Sequence, residues 1–467
     1  MLDCLLKNAE VYVEGEFQKA ALGIKDGKIA SITTEENAPE AEKVLDLTGE
    51  YVIPGAIDTH MHVRDPGHIE RGNFYTETLA AAAGGVTTIM EHPISIPPQY
   101  TVEILENRIK RAEDQCVVDF CFYGAAGGEY PEEITKIAAD GRIVAFKTFL
   151  HAAPEGREQE FKGLTMADDA QLLVGMQELA KTGLICAFHA EDNDLITYFA
   201  KKFQEEGRTG GRDHSLSRPV ITEVASVERV LRFAKETGAR VEIAHVSTPQ
   251  AMELIKKAKA DGVDVYAETC PHYLFLNEDD LEKFGPFAKC NPPLRPQELV
   301  DGLWKYVLDG TVDYIGSDHS PFLYEEKARG IDNIFKAVAG FPGVDLRLPL
   351  MLDAVAEGKI SRDLALLYET LLEEEVMNEK LAAGLEKALF TYEVTCDMPG
   401  LRQLIVIHKA LEQEQQVALQ DGKALVQILN GEHVLLAEDR EGQRYAAEPF
   451  CHKKKLLESE KLETLCR

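Results

Sequence analysis

The chain has 467 residues, with 50 Lys and Arg against 80 Asp and Glu, a net charge of −30, and 45% hydrophobic residues. This is the composition of a folded soluble protein, which excludes a disordered chain; the acidity excludes nucleic acid as the default partner, because a phosphate backbone calls for a basic face. The nine cysteines are odd in number and include no CxxC pair, which fits free thiols in a reducing compartment better than a disulfide scaffold.

The first residues, MLDCLLKNAEVYVEGEF, lack a basic segment followed by a long apolar one, and no run approaches the roughly 18 apolar residues of a membrane span. A soluble, cytoplasmic protein is expected. Residues 1–54 alternate apolar and polar positions, with Glu14-Gly15 and Asp26-Gly27 as turn dipeptides, and read as part of a small β domain. The segment is too short to bury a core and needs a partner sheet.

From residue 55 the pattern changes to eight short apolar runs: GAIDTHMH, VTTIMEHP, VVDFCFYG, IVAFKTFL, LICAFHAE, VEIAHVS, VDVYAETCPH and VDYIGSDHS. Between them, stretches such as ASVERVLRFAKETGA carry apolar residues at helical spacing. Eight alternations of buried strand and amphipathic helix predict a (β/α)8 TIM barrel over 55–360. Residues 361–419 read as an atypical acidic helical segment. Residues 420–467 read as strands with an Asn430-Gly431 hairpin turn, able to join residues 1–54 in a small β-sandwich built from the chain termini.

Chemistry gathers at the strand ends, where barrel active sites lie. His60 and His62, two apart on one strand, present both imidazoles on one face. His189, His245 and Asp318 end three further strands. A lone histidine at such a place is commonly a core residue; this set in register points to a metal centre, since imidazole is the usual ligand of zinc-like ions. Lys147 lies inside an apolar strand, where an unpaired lysine is costly. It is either a snorkelling side chain or an amine that has reacted with CO2, giving a carbamate able to bridge two cations.

His60, His62, Lys147, His189, His245 and Asp318, in this order on successive strands, resemble the amidohydrolase superfamily. GAIDTHMHVRDPG and GSDHSPF resemble its cyclic amidohydrolase branch: dihydroorotase, allantoinase and hydantoinase/dihydropyrimidinase. The resemblance runs from residue 1 to about residue 360. It implies two divalent ions, zinc as a rule, bridged by N6-carboxylated Lys147 and a hydroxide. His60, His62 and Asp318 would hold one ion, and His189 and His245 the other. Asp318 would be catalytic, taking a proton from the attacking water and returning it to the leaving ring nitrogen. The substrate would be a small cyclic amide or ureide, and relatives form homo-oligomers, dimers or tetramers.

The residues that choose the ring disagree. Arg64 and Asn291 have the dihydroorotase form, in which arginine holds a substrate carboxylate. Ile94 and Phe322 stand where that enzyme has Asn and His, and neither donates a hydrogen bond. MEHPISIPP and GFPGVDLRLPL are allantoinase-like. Dihydropyrimidinase has a tyrosine donor where Ala152 stands; the neighbouring His151 could substitute for it but reads first as a surface histidine, and His92 as ambiguous. After residue 360 the family's closing motifs are absent, and His408, His433 and His452 receive no role. An allantoinase- or dihydroorotase-like hydrolase is expected, with hydantoinase/dihydropyrimidinase activity or a catalytically weak structural relative as alternatives.

Overall fold

The computed structural model describes residues 1–13, 16–154 and 156–362, residues 364, 365 and 368, and the backbone of five strands within 404–447. Strands β1 (Leu2–Val13), β2 (Glu16–Lys25), β3 (Lys28–Thr33), β4 (Ala41–Asp46) and β5 (Glu50–Pro54) form one sheet in the order β5-β1-β2-β3, with β4 also on β1. Alternation along β1 and β2 buries Cys4, Leu6, Val11, Leu22 and Ile24 together. The β2–β3 turn places Asp26 and Gly27 at φ 48° and 72°, the left-handed pair that a tight hairpin requires. Leu404–His408 pairs antiparallel with β5, and the four strands from Gln415 to Ala447 form a separate sheet in chain order. The Glu14-Gly15 and Asn430-Gly431 turns, and most of the acidic stretch after 361, lie outside the described residues.

All eight apolar runs are strands, in one parallel sheet in chain order: β6 (Ala56–Met61), β7 (Val86–Glu91), β8 (Asp119–Ala125), β9 (Ala145–Phe149), β10 (Cys186–His189), β11 (Val241–Ile243), β12 (Val265–Thr269) and β13 (Tyr314–Ile315). Side chains sort by parity. Along β8, Cys121 and Tyr123 join Met90, Ala187 and Tyr314 inside the barrel, while Phe120 and Phe122 pack outward with the helices. Helices stop on left-handed glycines, such as Gly183 after Thr182 and Gly238 after Thr237, where no Cβ opposes the turn back into a strand.

The eighth strand has only two residues, so a regular ladder closes little of the barrel. Closure comes from the ends instead. His62 N donates to the His319 carbonyl at 2.9 Å, and Ser317 Oγ to the His60 carbonyl at 3.1 Å. Asp58 Oδ1 accepts from both His60 N and Ser317 N at 3.0 Å. The first and last strands are thereby tied beside His60, His62 and Asp318. Among the described residues, no helix is long and apolar enough to cross a membrane.

Candidate active site

The six residues singled out at strand ends meet at one end of the barrel. His60 Nε2 and His62 Nε2 each lie 3.3 Å from Asp318 Oδ1. Beside them, His189 Nδ1 lies 3.0 Å from His245 Nε2, and the His60 and His245 rings are 5.5 Å apart. His245 and Asp318 are turned inward by left-handed backbone, with φ 41° and 47°. Such φ values are uncommon outside glycine and cluster where geometry serves a site.

The donor set fits metal ions. Burial holds the His60, His62 and His245 imidazoles well below their usual pKa, and neighbouring cations reinforce it; a ligand must be neutral to offer its lone pair. His60 Nδ1 lies 2.7 Å from Glu268 Oε2. Glu268 also accepts from His245 N at 3.0 Å and Thr59 Oγ1 at 3.3 Å. With its Nδ1 proton donated to that carboxylate, His60 keeps the Nε2 lone pair inward, and this nitrogen is buried without a hydrogen-bond partner. His189 Nε2 is fixed likewise by Glu191 Oε2 at 2.9 Å, which Arg218 Nη1 meets at 2.6 Å. Although burial raises the Glu191 pKa, Arg218 and His189 hold it well below the usual carboxylate range.

Lys147 is fully buried, and its Nζ has no hydrogen-bond partner. Burial pushes its pKa down, opposed by Glu268, Asp318 and Glu242. The amine borders the same cavity as His189, His245 and Asp318.

That cavity holds about 470 Å3, within the range of small-molecule sites. Its mouth is basic. Arg64, 2% exposed, donates from Nη2 to Ser320 Oγ at 2.6 Å, while its Nε and Nη1 have no hydrogen-bond partner and Nη1 lies 3.9 Å from Glu160 Oε2. Burial, with Arg157 and Arg71 nearby, brings the Arg64 pKa down to about 9. Arg157 forms a two-point pair with Glu160, at 2.9 and 2.6 Å. Burial opposes ionisation of Glu160, but Arg157, Arg64 and Arg71 bring its pKa to about 2. The guanidiniums of Arg64, Arg71 and Arg157 all sit over the Phe322 ring, at 4.9, 5.1 and 5.5 Å.

Asn291 borders the cavity, with its buried Oδ1 unpartnered. His151 also borders it, its ring 5.1 Å from His189, which corrects the surface reading: the chain turns back over the barrel mouth after β9. His92 is buried between the His60 and Tyr123 rings, at 3.8 and 3.9 Å. Sequence reasoning missed Glu268, Glu191, Arg157 and Arg218. Glu268 sits inside an apolar strand, as Lys147 does, and Glu191 stands two residues after His189. Both signals were present.

Residues 51–356 match the amidohydrolase family, and residues 350–467 match the N-terminal part of a family of unknown function (DUF5717). The chain is 36% identical over 373 residues to an allantoinase of Bacillus licheniformis, covering 78% of this chain and 79% of the relative. It is 34% identical over 384 residues to an L-hydantoinase of Paenarthrobacter aurescens, covering 82% and 81%. Among solved structures, the L-hydantoinase (dihydropyrimidinase) of Arthrobacter aurescens superposes with a TM-score of 0.77 at 29% identity, over 96% of this chain and 98% of that one.

Proposed function

Because the chain belongs to the amidohydrolase family, we propose that it is a metal-dependent hydrolase opening the ring of a small cyclic amide or ureide, allantoinase- or dihydroorotase-like in its chemistry. The observation that carries this is the convergence of His60, His62 and Asp318 beside His189, His245 and Lys147 on the floor of a ring-sized cavity. His60, His62 and Asp318 would hold one divalent ion, and His189 and His245 a second, with Lys147 N6-carboxylated as the bridge. Zinc suits this nitrogen-rich set. Once bound, such ions supply hydroxide at neutral pH and polarise a carbonyl.

The protein's own groups do the rest. Asp318, whose pKa burial raises against the opposing pull of surrounding cations, takes the proton of the attacking water and returns it to the leaving ring nitrogen. Arg64 and Asn291 bind the substrate, through Arg64 Nε and Nη1 and Asn291 Oδ1, which have no hydrogen-bond partner in the protein. Arg157 and Arg218 also border the cavity but are paired with Glu160 and Glu191, so the cation left to a substrate there is Arg64, and it favours a ring bearing a carboxylate. The reading includes a cytoplasmic homo-oligomer, dimer or tetramer. It also keeps the division into residues 1–54, 55–360, 361–419 and 420–467.

A second reading, a hydantoinase/dihydropyrimidinase, is favoured by the apolar patch of Ile94, Phe149 and Phe161 in the same cavity, which suits an uncharged substituent. Ring opening by the zinc-loaded protein should be followed in parallel on dihydroorotate, allantoin, hydantoin and dihydrouracil. Preference for dihydroorotate supports the anionic ring, and preference for hydantoin or dihydrouracil supports the second reading. Inactivity on all four with metal bound overturns both.

A further inference from the structure

Outside the reacting centre, one stretch of cavity wall is held in an unusual way. Phe335 to Gly340 line the cavity, yet apart from a single turn at Ile334–Lys336 they belong to no helix or strand. Their carbonyls need donors from elsewhere, because buried backbone groups left unpaired are costly. Lys289, 6% exposed, supplies them: its Nζ donates to the carbonyls of Ile334 at 2.8 Å and Ala337 at 2.6 Å. Its own carbonyl accepts from Gly340 N at 2.9 Å and from Lys327 Nζ at 3.0 Å. Lys327 Nζ donates in turn to the Gly340 carbonyl at 2.7 Å. Among the described residues no carboxylate pairs with Lys289. Two N–H bonds satisfy its two carbonyls whether or not the amine is charged.

The clamp joins the parts that would hold a substrate. Lys289 stands two residues before Asn291. At the other end of the wall, Gly340 packs so closely on Ser320, the acceptor for Arg64, that a Cβ there would lie 2.6 Å from the Ser320 hydroxyl. Loosening the wall therefore frees one side of the cavity from both Asn291 and Arg64.

We propose that Lys289 is a positioning residue that fixes the 334–340 wall against Asn291 and Arg64 and so sets how tightly the ring is held, which rests on the proposed hydrolase for what the cavity binds. It touches no reacting atom in this scheme. Its loss should weaken binding far more than turnover.

The test is Lys289→Met in the zinc-loaded full chain, with two readouts. Hydrogen exchange of the Lys336–Gly340 amides should quicken about tenfold while strand β6 is unchanged, and KM for the ring the wild type opens should rise about tenfold with kcat within about threefold. Unchanged exchange overturns the proposal, as does a fall in kcat at constant KM. If the wild type opens no ring, the hydrolase reading fails, while the exchange measurement still decides the role of Lys289. Should Lys289→Met fold poorly, Lys289→Ala is measured with added propylamine or propanol. Restored slow exchange with propylamine alone supports a hydrogen-bonding clamp; equal restoration by propanol means that Lys289 only fills space, and no restoration by either also counts against it.

Discussion

At the floor of the cavity the candidate ligands stand on barrel strands or within a few residues of their ends, whereas at its mouth Arg64, Arg157 and Phe322 stand on loops and Glu160 on a single 3-10 turn between loops. The floor is set by strand parity and by carboxylates that orient imidazoles from behind. The mouth is set by guanidiniums sharing one ring and one carboxylate. A strand end moves only with the barrel, so the floor suits invariant bond-breaking chemistry. A loop can be exchanged without disturbing the barrel, so the mouth suits the choice of substrate.

If that contrast holds, changes at the floor abolish the reaction and changes at the mouth redirect it. The largest effect is expected from Lys147→Ala, with ring opening down about 1,000-fold or more and less bound metal by elemental analysis. Partial recovery with zinc and a short carboxylic acid would identify the bridge, and full activity without them would exclude it. Next, Glu268→Gln and Glu191→Gln should each weaken metal binding by about 10- to 100-fold in a chelator competition, because the imidazoles lose their orienting acceptors.

At the mouth, Arg64→Met should lower kcat/KM for a carboxylate-bearing ring by about 10- to 100-fold and leave a neutral ring within about threefold. Equal losses on both would make Arg64 part of the scaffold. The smallest effect concerns acid stability. Glu160 has a pKa of about 2 in the folded protein against an ordinary 4.5, so it stabilises the fold above pH 4.5 and this contribution fades as pH falls towards 2. Glu160→Gln should flatten that part of the melting-temperature profile, and an unchanged profile would show that the arginines gain nothing from the charge.

The same contrast explains what could be read from the chain. The eight strands were legible because each is a short apolar run bounded by turn residues. Lys147 and the histidines were legible because polar groups are conspicuous at the ends of such runs. Glu268 carried the same mark but was passed over, since it makes no first contact in any expected chemistry. Arg157, Arg218 and Lys289 lie on segments without periodicity, and only tertiary packing places them at the cavity. Phe322 shows the limit best. As a letter it is a missing hydrogen-bond donor; in the fold it is the platform under three guanidiniums.

The two-residue eighth strand also orders events during synthesis. His60 and His62 leave the ribosome more than 250 residues before Asp318, and the seam that unites them depends on Ser317 and His319 meeting Asp58, His60 and His62. A nascent chain still short of that point lacks Asp318 and the seam, so in the proposed scheme it would offer a passing ion only an unfinished site. On the proposed ligand set, capture of an ion would be a late event, coincident with barrel completion, and a product truncated before Asp318 would fail to retain it.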